Sequence, residues 1–360
     1  MKKEQTPNPR LGKVGGGALL EGVMMRSGDL CGVTCRREDG TLAVREKRFT
    51  SIRQKHKIFN LPILRGIVAF IESLVLSYSC LSISADIMGA TEEETRFEKA
   101  FKKRLGVRFF DVLMVIAAIL GVALALGLFL ALPRAVAGWL EALTNTDFGH
   151  WKSAIEGGLK VLIFIAYLAL VSLMKEIRRT FQYHGAEHKS IACYEAGDEL
   201  TPEAARKYSR FHPRCGTSFM FVMILLGVLL GFGVNALFPD LHTALYVLIR
   251  ILLLPFVVGI GFEFIRYAGG HDNFLTRILS APGLWMQRIT TREPDDEQLE
   301  VAILSLKYAL VEDFPELDRR ALLAASEPSD TTGTDAPEDD APAEEPAKTD
   351  STASDPSVSE

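Results

Sequence analysis

Cysteine is scarce in this chain. Five residues (Cys31, Cys35, Cys80, Cys193 and Cys215) are scattered over 360 positions, an odd number that does not read as a disulfide framework. The opening stretch, MKKEQTPNPRLGK, has no apolar segment behind its charges, so no secretory signal is expected. Phosphate-cradling motifs are also missing. The run Gly15–Gly17 lacks GxGxxG spacing and reads as a turn or bulge, and there is no P-loop. No GxSxG nucleophile elbow occurs, and no internal repeat. Aromatic residues are absent from 326–360, where eleven acids stand against one lysine, Lys348, for a net charge of −10. The whole chain carries −5, so the remainder carries +5. A segment of that composition buries too little apolar area to offset its ordering entropy, and disorder is expected there.

Long apolar runs, in contrast, are plentiful. Four are long enough to span a bilayer: 109–132, 157–174, 218–238 and 243–265. A fifth, 62–89, contains Arg65, Glu72 and five serines. Basic residues alternate between the loops. Lys102, Lys103, Arg104 and Arg108 precede the first run, the loop 133–156 has only Arg134 and Lys152, and the loop 175–216 has eight Lys or Arg. The loop 239–242 has none, and Arg266, Arg277, Arg288 and Arg292 follow the last run. By the positive-inside rule this pattern predicts four spans with both termini cytoplasmic, in a bacterial inner membrane. A fifth crossing at 62–89 would move the basic N-terminal region outside, so that helix is expected to lie on the membrane face or dip into it. Topology accounts for the basic residues, and no nucleic-acid partner is expected. The bilayer is the first partner, with membrane or cytoplasmic proteins as further candidates.

The expected fold class is therefore mainly α: a polytopic helical membrane protein with a small N-terminal β-hairpin region and cytoplasmic helices. Residues 1–60 form the β-rich part, because CGVTCRRE and TLAVREKRF flank the hairpin signal Asp39-Gly40. Residues 61–108 hold the interfacial helix and a basic linker, and 109–266 the four-helix membrane region with its loop 175–216. Residues 267–325 form a C-terminal helical region and 326–360 the acidic tail. Thr201 and Pro202 suit the start of a short helix at 201–210. Residues 295–312 read as an amphipathic helix with acids in its first turn. Cys31 and Cys35 would share one face of a strand and read as packing rather than as metal ligands.

One stretch carries chemistry. In FQYHGAEHKS, Phe181 to Ser190, His184 and His188 are four residues apart and share a helix face, with Glu187 on the same side. His-x-x-Glu-His is the inverted zincin pattern, in which two histidines hold zinc and the glutamate activates its water. FHPRCGTS offers His212 and Cys215 as a third ligand. Glu195 returns to the His184 face if the helix continues. Glu263 lies in the last turns of the fourth span, with Arg266 its nearest partner at i+3. Glu195, Glu263 and Arg266 are candidates for the layer behind the ligands. A polar network tying helix ends together explains the same residues on their own. Two functions stay open: a zinc-dependent hydrolase acting on a peptide or lipid-linked substrate, with Glu187 as the catalytic base, or a non-catalytic membrane factor that binds protein partners. The charged segment RITTREPDD, Arg288–Asp296, looks exposed, and its acids suit helix capping.

The stretches GGGALLEGVMMR (15–26), LPILRGIVAFIESL (61–74), FQYHGAEHKSIACYEAGDELT (181–201), YSRFHPRCGTSF (208–219) and PGLWMQRITTREPDDEQLEVAI (282–303) resemble the YqhQ-like family of bacterial membrane proteins, a family of unknown function sometimes labelled as metal-dependent enzymes. Gly17 stands where the family suggests glutamine, and Cys193 where a small or polar residue is usual. The resemblance implies an integral membrane protein with a functional polar site and supplies no reaction. It also draws in Glu21, Arg26, Arg65 and Glu72, whose plain role is ion pairing between the N-terminal layer and the helix at 62–89.

Overall fold

The computed structural model describes residues 8–89, 109–238, 241–270 and 273–326. Four antiparallel strands come first: β1 (Gly15–Leu19), β2 (Gly22–Ser27), β3 (Leu30–Arg36) and β4 (Leu42–Arg48), paired in the order β1-β2-β3-β4. The hairpin expected at Asp39-Gly40 is the β3–β4 connection. Arg36 faces Leu42, and Gly40 takes φ 82°, a left-handed conformation that glycine adopts without strain. Two more strands extend the hairpin, and the glycine run, expected as a turn or bulge, is the edge strand β1. Small residues are needed there. A Cβ on Gly16 would lie 2.8 Å from the Met24 carbonyl and 3.0 Å from Glu187 Cγ.

Helices follow: α1 (Ile52–Lys55), α2 (Leu64–Ile87), α3 (Phe109–Leu126), α4 (Leu132–Thr144), α5 (Lys152–Val171) and α6 (Lys175–Ala196). Then come α7 (Pro202–Arg206), α8 (Gly216–Leu237), α9 (Thr243–Gly270), α10 (Phe274–Thr290), α11 (Asp296–Ala309) and α12 (Arg319–Ala325). The expected local signals hold. Thr201 caps α7 with Pro202 at its first turn, and Asp295 forms a capping box with Gln298 on α11.

Strand alternation gives the sheet two different faces. Val23 and Met25 point to a core built with Tyr183 and Ala186 of α6 and Leu299, Ala302 and Leu306 of α11. Met24, Cys31, Val33 and Cys35 point the other way, onto Leu76 and Cys80 of α2. All five cysteines are free and buried, and Cys31 and Cys35 pack as expected. Close approach is used again at Gly32, where a Cβ would meet the Tyr308 ring at 2.9 Å, and Ser305 Oγ donates to the Gly32 carbonyl at 2.9 Å.

Among the described residues, five helical segments are long and apolar enough to cross a membrane: Leu64–Ile87, Ile119–Thr144, Lys152–Val171, Phe219–Leu237 and Ala244–Tyr267. Three match the expected runs; the fourth, Ile119–Thr144, overlaps the expected 109–132 only in part, because the helix carries on through Leu132–Thr144 where a loop was expected. The fifth, α2, qualifies by length and composition, yet its inner face is held by protein along its length. Gly66 lies against α9, where a Cβ would meet the Gly259 carbonyl at 2.9 Å. Glu72 accepts from the Ile52 N–H at 2.7 Å and from Ser51 Oγ at 2.8–2.9 Å, so it ties α2 to the N-terminal layer as expected. Arg65 does not. It pairs with Glu263 of α9, which thus takes a partner from another helix instead of Arg266 on its own.

The acidic segment from Glu327 on lies outside the described residues. Its expected start at 326 is one residue too early, because Ser326 is buried against β4. Its Oγ accepts from the Val44 N–H at 2.7 Å, and its carbonyl accepts from Arg37 at 2.6 Å and Arg45 at 2.8 Å. Truncation after Ser326 should leave thermal stability at the full-length value. Truncation after Ala325 orphans a buried strand N–H and should cost roughly 1–3 kcal/mol, read as a lower unfolding temperature. Equal melting of the two truncations would remove Ser326 from the fold.

Candidate metal centre

Helix α6 carries the HGAEH stretch, and its conformation depends on one missing side chain. A Cβ on Gly185 would stand 2.0 Å from the Arg292 carbonyl. With glycine there, the segment after α10 crosses directly over α6, and the Arg292 N–H donates to the Phe181 carbonyl at 2.8 Å. The segment expected to be exposed is therefore a strap across the site. Thr290 and Thr291 are buried, and Glu293 pairs with Lys189 at 2.9 Å.

The strap and the loop before α8 orient both imidazoles. His184 Nδ1–H donates to the Thr290 carbonyl at 2.8 Å, and His188 Nδ1–H donates to the Arg210 carbonyl at 2.6 Å. A carbonyl can only accept, so each Nδ1 carries its proton and each Nε2 is left to face the other way. Cys215, one residue before α8, meets them. Its Sγ lies 3.2 Å from His184 Nε2, and one donor atom each from His184, His188 and Cys215 fall within 4.8 Å of one another. The two rings are edge to face at 4.4 Å. Burial pushes the His188 imidazole down toward its neutral form. Two imidazoles and a cysteine sulfur thus face one another, a donor set that could hold a metal ion.

Glu187 is buried between α6 and β1, with its Cγ beside Gly16. Burial pushes its carboxyl up to about 7, against a smaller opposing effect of His184. Among the described residues it has no hydrogen-bond partner. His212 is brought close without joining the cluster. Its ring centroid is 5.5 Å from that of His188, and its Nε2 turns to Glu195 at 3.7 Å. Its backbone is clamped by Gln287, which accepts from the His212 N–H at 2.7 Å and donates to the His212 carbonyl at 2.8 Å.

Glu195 lies one layer further out. Burial alone would raise its carboxyl, but hydrogen bonds from His212, the Gly12 N–H and Arg214 outweigh burial and hold it down to about 2. Glu263 and Arg266 are not brought to this cluster, since Glu263 is taken by Arg65 in the α2–α9 joint. Glu21 pairs with Arg179 and accepts from the Tyr183 hydroxyl at 3.3 Å, so it ties the β1–β2 turn to α6 rather than to α2. Arg26 stacks on Phe49.

Sequence reasoning missed the two orienting carbonyls, Gln287, and Gly185 as the crossing point. Backbone carbonyls leave no mark on residue type. The glycine inside HGAEH was the one available signal. An apolar cavity of about 200 Å³ reaches His184 and Thr290 from between Phe164, Leu168, Phe181, Met220 and Met286. A larger one, about 400 Å³, lies by Arg10, Tyr194 and Lys307 and touches none of the candidate ligands.

The comparisons with known proteins agree with the resemblance in the sequence. The uncharacterized protein YqhQ of Bacillus subtilis (strain 168) is 36% identical over 306 residues, spanning 82% of this chain and 92% of that protein. No solved structure matches. The family model described as "Protein of unknown function (DUF1385)" matches residues 61–312, and the chain belongs to that YqhQ-like family.

Proposed function

We propose that this protein is a multi-pass protein of a bacterial cytoplasmic membrane whose His184, His188 and Cys215 hold a zinc ion for a hydrolytic reaction. The observation that carries the proposal is the pair of Nδ1–H to carbonyl bonds, which aims both Nε2 atoms at Cys215 Sγ. Orientation of ligating histidines by carbonyls is a regular feature of metal sites. Three protein ligands with a fourth position open is the catalytic form of zinc coordination, and two nitrogens with one sulfur is a zinc-type donor set. Bound there, zinc would supply a Lewis acid and a water of lowered pKa. Glu187 is the proton acceptor: its burial brings it near the pH at which a general base works. His212 and Glu195 belong to the layer behind, where Glu195 draws the His212 ring away from the ligands.

The apolar cavity beside His184 supports a substrate with an apolar part, a membrane-embedded peptide or a lipid-linked molecule. The basic loops support a cytoplasmic position for the site and for both termini. Helix α2 lies along that face. Its outward residues Ile71, Leu74, Val75 and Tyr78 are exposed and spaced as one apolar stripe, while its inward side is spent on the sheet and α9.

Metal analysis of detergent-purified protein should find about one zinc per chain. His184→Ala, His188→Ala and Cys215→Ser should each lose it, and His212→Ala should keep it. Equal metal in wild type and the His184→Ala/His188→Ala double variant would leave the non-catalytic, partner-binding reading. Glu187→Gln should retain zinc and lose hydrolysis by roughly a hundredfold or more. For topology, reporters fused at the N-terminus and after Met174 should read cytoplasm, and one at Leu143 should read outside. An outside signal at the N-terminus would mean that α2 crosses.

A further inference from the structure

Away from the histidines, the helices that are long enough to span bury a second polar cluster. Lys160 on α5 is only 7% exposed and Arg250 on α9 likewise 7%, with Glu156 of α5 at 1%. Arg134 of α4 reaches Glu156 at 3.4 Å and stacks on the Tyr246 ring at 3.9 Å. A position expected in the loop 133–156 lies instead on α4 and is folded inward. It follows directly on a π-helical turn, Gly127–Ala131, that joins α3 to α4, and such turns are frequent at functional sites.

Among the described residues the charges here do not balance. Among those residues three cations, Arg134, Lys160 and Arg250, lie around one carboxylate, Glu156, which pairs with Arg134 and accepts from the Tyr246 hydroxyl at 3.2 Å. Arg250 is left with neutral acceptors, the Tyr246 hydroxyl at 2.9 Å and the Gly227 carbonyl. The Lys160 ammonium has no hydrogen bond or ion pair with any described residue. A nearby pair, Glu141 with Lys152 at 2.5 Å, is matched one to one, so the excess belongs to this cluster. Lysine can escape burial by releasing its proton, but arginine cannot. A buried charge without a counter-charge is expensive, more so among membrane-spanning helices.

The geometry points to an anion as the partner of these cations. We propose that Lys160 and Arg250, backed by Arg134, form an oxyanion site inside the helical region that takes a phosphoryl group. A guanidinium offers two parallel donors to phosphate oxygens, and an ammonium adds a point charge. Arg250 comes close to Gly227 and Gly231 of α8: a Cβ on Gly231 would lie 3.1 Å from Arg250 Nη1. Glycine at these positions lets the guanidinium settle against helix backbone, beside the Tyr246 ring at 5.4 Å. The same chemistry is found on a phospholipid headgroup and on free phosphate. This site is independent of the zinc reading, sharing none of its ligands.

The test uses the purified full chain. Thermal unfolding is followed in detergent with and without inorganic phosphate at matched ionic strength, and in nanodiscs of phosphatidylcholine with and without phosphatidylglycerol. Wild type should gain several degrees with at least one anion. Lys160→Met should lose that gain while unfolding cooperatively in the anion-free condition, and Lys160→Arg should retain it. Gain with phosphate identifies a soluble anion. Gain with phosphatidylglycerol alone identifies a lipid headgroup. No gain in wild type from either, or the same gain in Lys160→Met, overturns the site. Should Lys160→Met fail to fold, native mass spectrometry of wild type decides. Phosphate or phosphatidylglycerol retained under activation that strips phosphatidylcholine supports the proposal, and retention of neither ends it.

Discussion

The contact between Gly185 and the Arg292 carbonyl sets the geometry of the centre. Only a residue without a Cβ lets the strap cross α6 at that point, since a Cβ would stand 2.0 Å from the carbonyl oxygen. Crossing there puts the Thr290 carbonyl on His184 Nδ1 and the Thr291 carbonyl on Arg210. Arg210 in turn turns its own carbonyl to His188. Two imidazoles are thus aimed by main-chain atoms, which rotamer changes cannot withdraw. The donor triad depends on backbone positions that a single small residue permits.

The surrounding layers make this arrangement rigid. Helix α6 is buried on several sides, by β1 and β2 through Tyr183 and Ala186 and by α11 through Leu299 and Ala302. Glu21 holds its outer end by way of Arg179, and Glu195 gathers Gly12, Arg214 and His212 at the other. A helix loaded with polar residues would be a poor core element alone. Here most of its polar groups are matched, Glu187 and Ser190 Oγ being the exceptions among the described residues, and the apolar positions between them carry the packing.

Much of the architecture was legible from residue patterns. The apolar runs, the Asp39-Gly40 hairpin, the Thr201 cap and the 295–312 helix all follow from local rules of length, periodicity and capping. The site was legible in part. His184 and His188 share a face by helical spacing alone, and Cys215 stood beside His212 as an equal candidate. The glycine strand was misread because Gly15–Gly17 has a turn composition, and only contact with Glu187 and Met24 explains why small residues serve there. RITTREPDD was misread because charge suggests exposure, whereas its backbone is what the fold buries.

The sequence by itself determined which segments are apolar enough to span, where helices begin, and that two histidines face the same way, because each of these depends on neighbours a few residues apart. Tertiary structure alone decided that Cys215 and not His212 meets those histidines, that Glu263 goes to Arg65, and that Arg134, Lys160 and Arg250 converge on one carboxylate. Those outcomes depend on distances between residues tens to hundreds of positions apart, set by where backbones can approach one another. No local pattern encodes such a distance, and here it is glycines such as Gly66, Gly185 and Gly259 that set it.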